Sequence, residues 1–373
     1  NSMIEAADSM ISNRKTELKK WEGTTELMDE DNSRYEVRFD SLLSFLKLPV
    51  LTFRDKVRLV YEGLKLFLTS GPKNPFSGTE LAAFDRGDNL EQWSRKHIGD
   101  RAYEYLMRPI MDFLYAVPLK ELSTPFPKAI IQQAHKLALS VPPEGIGQIN
   151  DWFLEAISKE NKHLKSPVDK VERIGEKWRV SVKGVVFDAD RLLIATESFV
   201  AAKLLKDLIP EEAYESLMGT PYTEYAHVAV AYEKNPWPDY PVDMVLPVGV
   251  GGERNVGAMV LHGRRSPASV PKGGQAVGVY FNTPPLEKMS DEDIKREAVS
   301  QIHAAFGEAP KPTFVHLFRY TKGLTIAKPG HYGRLDSVHD ILPEGVSLAG
   351  DYFSQAGVEA AVYSGERAAQ DLV

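Results

Sequence analysis

The chain has 373 residues, 43% apolar and 26% charged, the make-up of an ordinary globular protein with one large or two medium cores. A formal charge of -7 argues against a nucleic-acid binder, which would present a basic face. Zero cysteines exclude a disulfide scaffold, thiolate metal sites and a cysteine nucleophile, and nine scattered histidines show no HExxH or other metal spacing.

Residues 1–40 are polar, charged and rich in good helix formers, so a polar helical segment is expected there. No buried strand and no glycine fingerprint opens the sequence. In "SLLSFLKLPVLTFRDKVRLVYEGLKLFLTSG" the run Leu46-Lys47-Leu48-Pro49 breaks one helix. Phe53, Val57, Val60, Leu64 and Leu66-Phe67 then recur every three to four residues, predicting an amphipathic helix that ends near Gly71-Pro72. Residues 88–122 read as two helices punctuated by Gly99-Asp100, and "PKAIIQQAHKLALS" as a third that runs up to Pro142-Pro143. Residues 41–143 therefore form a helical subdomain.

The pattern changes at "PPEGIGQINDWFLEAISKEN", where a glycine loop opens a helix. Val171, Trp178, Val180 and Val182 mark antiparallel strands with turns at Gly175-Glu176 and Lys183-Gly184. Leu192 to Ala195 is a continuous apolar run, expected to be a strand covered on both faces. Between about 222 and 283 lie four strand-like segments, "EYAHVAVAYEK", "DMVLPVG", "NVGAMVLHG" and "GQAVGVYFN". A helix capped by Ser290 and Asp293 follows, then the strand "PTFVHLFRY". The helical and β-rich pieces interleave, so the units are discontinuous: 144–200 with 335–373, and a β-rich unit at 201–334.

Phosphate binding of the Rossmann kind needs a glycine loop between a strand and a helix. "GVGGERNVG" lies between two strand-like runs and reads as a hairpin turn; "GIGQIN" follows a helix and reads as a helix-entry loop. The closing unit "VSLAGDYFSQAGVEAAVYSGERAAQDLV" has the required order. Gly350 admits a ligand close to the backbone, Asp351 is an acceptor at the carboxyl end of a strand, and Gly357 and Val358 open a helix. The bland reading is a capping turn that closes a fold.

These residues resemble a known family. "VSLAGDY…GVEAAVYSGERAAQDLV" is similar to the C-terminal flavin-binding segment of the flavin-containing amine oxidase superfamily, which includes protoporphyrinogen oxidases and phytoene desaturases. The helical stretch "SRKHIGDRAYEYLMRPIMDFLYAVPLKELS", the loop "PPEGIGQINDWFLEAI", the strands "LKSPVDKVERIGEKWRVSVKGVVFDADRLLIATES" and "RYTKGLTIAKPGHYGRLD" resemble the same family in the same order, over residues 40–373. The resemblance implies a mixed α/β chain with an FAD-linked amine oxidase-like fold, in which a helical subdomain and a β-rich substrate domain sit beside an FAD domain. It implies FAD as cofactor, with Val168 beside the adenine, Ala195 and Thr196 beside the ADP moiety, and Gly350 and Asp351 facing the ribityl chain. Gly357, Val358 and Glu359 would meet the pyrimidine end of the flavin. The family also begins with a strand, GxGxxG and a ribose-binding acid. This sequence holds none of them, so the first half of the cradle is expected from a missing segment or a partner chain.

By the same resemblance, the implied activity is hydride removal from an apolar small molecule, nearer to porphyrinogen oxidases and desaturases than to amine oxidases. Tyr320, His331 and Tyr332 are candidates to line the substrate cavity, each also readable as plain packing. Arg319 and Lys322 could orient a carboxylate, and Met107, Phe113, Leu114 and Tyr115 read as helical core. No catalytic residue and no metal ligand is named. The competing class is a non-catalytic binding or regulatory protein that has lost flavin. No apolar run reaches the roughly 18 to 20 residues of a membrane span, so peripheral membrane contact is the only kind left open. A reducing, cytoplasmic location is the expectation.

Overall fold

The computed structural model describes residues 19–20, 24–38, 41–133, 140–142, 144–249 and 254–373. Its first surprise is at the front. Thr25–Met28 (β1) and Arg34–Val37 (β2) are strands, where a helical segment was expected. They pair as a hairpin, and β1 then adds parallel to a strand more than two hundred residues later, with Leu27 opposite Leu246. That long-range pairing overrides the local helix propensity.

The helical region follows. Phe53–Leu68 (α1) starts in a full capping box, the Thr52 hydroxyl accepting from the Asp55 amide while the Asp55 carboxylate accepts from the Thr52 amide. Leu90–His97 (α2) is capped by Asn89. A π-turn over Tyr103–Met107 leads into Arg108–Tyr115 (α3), and Pro125–Gln132 (α4) comes next. The last helix was expected to continue to Pro142. It stops at Gln132, and Ser140–Val141 pair as a short strand with Lys19–Lys20.

After Gln148–Glu155 (α5), the strands Lys170–Ile174 (β3), Lys177–Val182 (β4) and Val185–Ala189 (β5) form a meander with turns at the expected places. Lys183 and Gly184 both adopt positive φ, the requirement of a two-residue hairpin whose twist matches its strands. Leu192–Ile194 (β6), Ser198–Leu205 (α6) and Glu211–Met218 (α7) follow. Leu193 is exposed, so β6 is not covered on both faces.

Tyr222–Tyr232 (β7), Met244–Pro247 (β8), Val256–Leu261 (β9) and Gln275–Phe281 (β10) are four of the strands of the large sheet. Asp291–Phe306 (α8) precedes Phe314–Thr325 (β11), and His331–Asp340 (α9), Val346–Leu348 (β12) and Val358–Gln370 (α10) close the chain. The seven-stranded sheet runs β11-β7-β10-β9-β8-β1-β2, antiparallel except between β1 and β8. β8 and β9 are hairpin partners, so the glycines between them belong to a turn, as expected.

Alternation on β7 sends Ala226, Val228, Val230 and Tyr232 to one face, where they pack with Ile294, Ala298, Ile302 and Phe306 of α8. The opposite face, at β8 and β9, packs Met244, Leu246, Ala258 and Val260 against Met111 and Tyr115 of α3. A third core joins Val171, Trp178, Ile194 and Leu205 to Leu335, Val346, Leu348 and Tyr352, so residues distant in sequence share one packed unit.

A cofactor cradle and an aromatic sheet face

β6 and β12 lie side by side and parallel, with Leu192 opposite Val346 and Ile194 opposite Leu348. Their carboxyl ends therefore emerge together, and the Ala349 amide donates to the Ile194 carbonyl at 2.9 Å. Ala195 and Thr196 leave one strand there, and Gly350 and Asp351 the other. In open α/β sheets this is where ligands sit.

Gly350 has no room for a side chain. A Cβ there would stand 2.2 Å from the Tyr352 ring, which folds back over it. Its amide donates to Ser364 Oγ at 2.9 Å, tying the turn to α10. Asp351 accepts from the Gly357 amide at 3.3 Å, directly before α10, and no side chain caps that helix. The first amides of α10 thus point outward from a half-positive helix end. Gly357 is exposed, with open space where a Cβ would be, and Val358 is exposed beside it. Glu359, in the first turn, is half-buried.

Burial raises Asp351 above the usual carboxylate range, more than the amides of Gly357 and Tyr352 lower it, and the Glu197 carboxylate pushes the same way. Tyr222 belongs to the same cluster. Its hydroxyl accepts from the Ser198 amide at 3.0 Å, and Asp351 and Glu197 both add to the rise that burial imposes on it. The structure so gathers six of the expected cofactor residues, Ala195, Thr196, Gly350, Asp351, Gly357 and Val358, at one edge. Val168 does not join them by any hydrogen bond or ring contact: it precedes β3 and is exposed, and Val171 is the buried member of that strand.

The three expected cavity residues separate. Tyr320 lies half-exposed on β11 opposite Tyr225. His331 and Tyr332 are 2% and 1% exposed, which makes them core groups and not cavity walls. His331 Nε2 donates to the Tyr352 carbonyl at 2.7 Å, bracing the turn that carries Asp351, and burial pulls the imidazole down to about 4. Arg319 is already engaged by Glu224 and Asp291, so it holds the fold together and is no carboxylate anchor. The Lys322 ammonium sits 3.7 Å from the centre of the Phe199 ring.

A second feature escaped the sequence reading. β7 leaves the cradle at Tyr222, and the residues of its uncovered face, Tyr225 and His227, come next. Register places His227 between Tyr280 of β10 and Phe318 of β11. The imidazole stacks on both, with ring centres 4.7 and 5.9 Å away and planes within 25° and 13°. Gly278 makes room for this: a Cβ there would meet His262 Nε2 at 2.7 Å and His227 Nε2 at 2.8 Å. Burial lowers both imidazoles to about 4, each helped by a neighbouring base, His262 for His227 and Arg265 for His262. Phe113 of α3 meets Tyr280 edge-on at 5.8 Å, while Phe318 and Tyr320 stay open. The result is an uncharged aromatic wall that begins where the cradle ends. The alternation of "EYAHVAVAY" identifies Tyr225 and His227 as facing together, but their partners 280 and 318 follow only from register.

Residues 14–373 match the profile of the flavin containing amine oxidoreductases. The chain belongs to that family. The match begins ahead of residue 40, where the resemblance had been placed, and so takes in β1 and β2. Coproporphyrinogen III oxidase of Bacillus subtilis (strain 168) is 22% identical over 348 residues, which are 83% of this chain and 72% of that protein. Among solved structures, one from Exiguobacterium sp. 255-15 assigned as a protoporphyrinogen oxidase superposes with a TM-score of 0.73 at 16% identity, covering 98% of this chain and 83% of that one. Cyclohexylamine oxidase from Brevibacterium oxydans IH-35A gives 0.73 at 17%, covering 100% and 84%. At such identities the structures establish the fold, which is that of the flavin amine oxidases. A flavin is therefore the family's cofactor, and the cradle suits one: two glycines without side-chain obstruction, an acceptor carboxylate and an uncapped helix N-terminus.

Proposed function

We propose that this chain carries the substrate domain and the flavin-facing half of the cradle of an FAD-dependent oxidoreductase, which oxidises an apolar, ring-bearing small molecule. The observation that supports it most is the convergence of Ala195, Gly350, Asp351 and the open start of α10 at the ends of two parallel strands. FAD bound there would take a hydride from a C–H or C–N bond. The chain's own residues hold and orient. Asp351 accepts from a ribityl hydroxyl, and the first amides of α10 stabilise negative charge at the pyrimidine end.

The aromatic wall of Tyr225, His227, Tyr280 and Phe318 is the surface against which the substrate would lie. Its imidazoles are neutral at pH 7, so the wall favours an uncharged ring face over a cationic amine. The Bacillus subtilis relative, named for coproporphyrinogen III, supports a porphyrinogen-type substrate in the same direction. A titration of FAD tests the reading, first into this chain and then into a longer one carrying a strand–GxGxxG–helix segment ahead of it. The flavin band near about 450 nm is expected to appear on the protein in the second case. Protein that stays colourless in both would shift the assignment to a binding module without flavin chemistry.

A further inference from the structure

Helix α1 is turned inside out. Phe53, Val57, Leu64, Leu68 and Tyr61 recur at spacings of three and four residues, which at 3.6 residues per turn confines them to an arc of roughly 80°. An apolar stripe of that kind normally faces the core. Here Phe53 is 84% exposed, Leu68 80%, Tyr61 63%, Leu64 57% and Val57 51%. The acids take the inward side. Asp55 is buried in its capping box, and Glu62 is buried with His97 Nδ1 at 3.1 Å and Lys65 Nζ at 3.3 Å. On the helical wheel Arg54 and Lys65 border the stripe on one side and Lys56 on the other. The outward surface of α1 thus combines five apolar side chains with a basic margin, on a chain whose formal charge is -7. Among the described residues, no helix is long and apolar enough to cross a membrane. At 16 residues, about 24 Å, α1 has the length to lie in a bilayer interface and not to span it.

We propose that this face of α1 docks the protein on an anionic lipid surface, with the apolar stripe in the acyl boundary and Arg54, Lys56 and Lys65 at the headgroups. Charge decides between this occupant and a second copy of the chain. A two-fold dimer through the stripe would set one basic margin against another, because the helix keeps its acids on the inner side. Anionic headgroups complement that margin, and each basic group near the surface adds to the attraction.

Flotation with vesicles tests it, using about three parts phosphatidylcholine to one part phosphatidylserine, and phosphatidylcholine alone. The full chain is expected to float with the mixed vesicles and to stay behind with the neutral ones. Phe53→Ser with Leu64→Ser, or Arg54→Glu with Lys56→Glu, is expected to weaken flotation at least about tenfold while the circular dichroism spectrum stays that of the parent. In a Tyr61→Trp variant the emission should move to shorter wavelength on mixed vesicles only. The proposal is overturned if the parent floats with neither vesicle, or if the double variants float as well as the parent. A dimer in sedimentation velocity that the serine variant dissociates would overturn it too, by showing that a second copy covers the stripe.

Discussion

Asp351 holds an acceptor carboxylate in a half-buried place where burial and Glu197 both oppose its ionisation. A carboxyl whose pKa is raised in the folded state contributes stability at low pH and loses it as the pH rises past its unfolded value. At pH 7 the ionised side chain is therefore a cost to the fold. Asp351→Asn removes that cost while keeping the size, so the thermal midpoint is expected to stay or rise, as read by calorimetry in the absence of flavin. A clear fall would show that Asp351 is a structural group. That residue was legible in the sequence because a Gly-Asp pair after a buried strand has few other uses. His227 was not, because what makes it notable is Tyr280 on one side and Phe318 on the other, and the pairing of three strands decides that.

At the level of elements, α1 shows what local chemistry can and cannot specify. Its start is fixed by Thr52 and Asp55, whose reciprocal bonds satisfy two amides that the helix leaves free. Thr52→Ala is expected to cost about 1 kcal/mol in urea denaturation, and a change within error would mean the helix is held by its neighbours alone. Periodicity announced this helix, yet not which way its stripe would face, since the inner side is occupied by Asp55 and Glu62. The strands β1 and β2 were invisible for a related reason. Each has four residues, and β1 gains its place from β8, which no local window contains. The long alternating strand β7 and the two-residue turn at Lys183-Gly184 were readable because their signals are local.

Across the whole molecule, four imidazoles are kept neutral by burial: His227, His262 and His331 near about 4, and His339 near about 3. Each takes up a proton more readily when the chain unfolds, so each adds stability above its ordinary value of 6.5 and loses it as the pH falls toward 4. Asp112, lifted to about 6 by burial against the pull of Arg108 and Arg254, acts in the opposite direction over the same window. Four groups outweigh one, so the urea midpoint is expected to be lower at about pH 5 than at about pH 7. An unchanged or higher midpoint would mean that these histidines are not buried as described. The discontinuous third core, built from residues on both sides of the large sheet, is what brings β6 beside β12 and so creates the cradle at all.

The most direct measurement is the affinity for FAD of the chain joined to a strand–GxGxxG–helix segment, compared between the parent and Asp351→Ala. Binding of one flavin per chain, weakened at least about tenfold by the substitution, is the predicted result. Flavin taken up equally well with Asp351 removed, or by neither protein, would contradict the placement of the cofactor at the ends of β6 and β12.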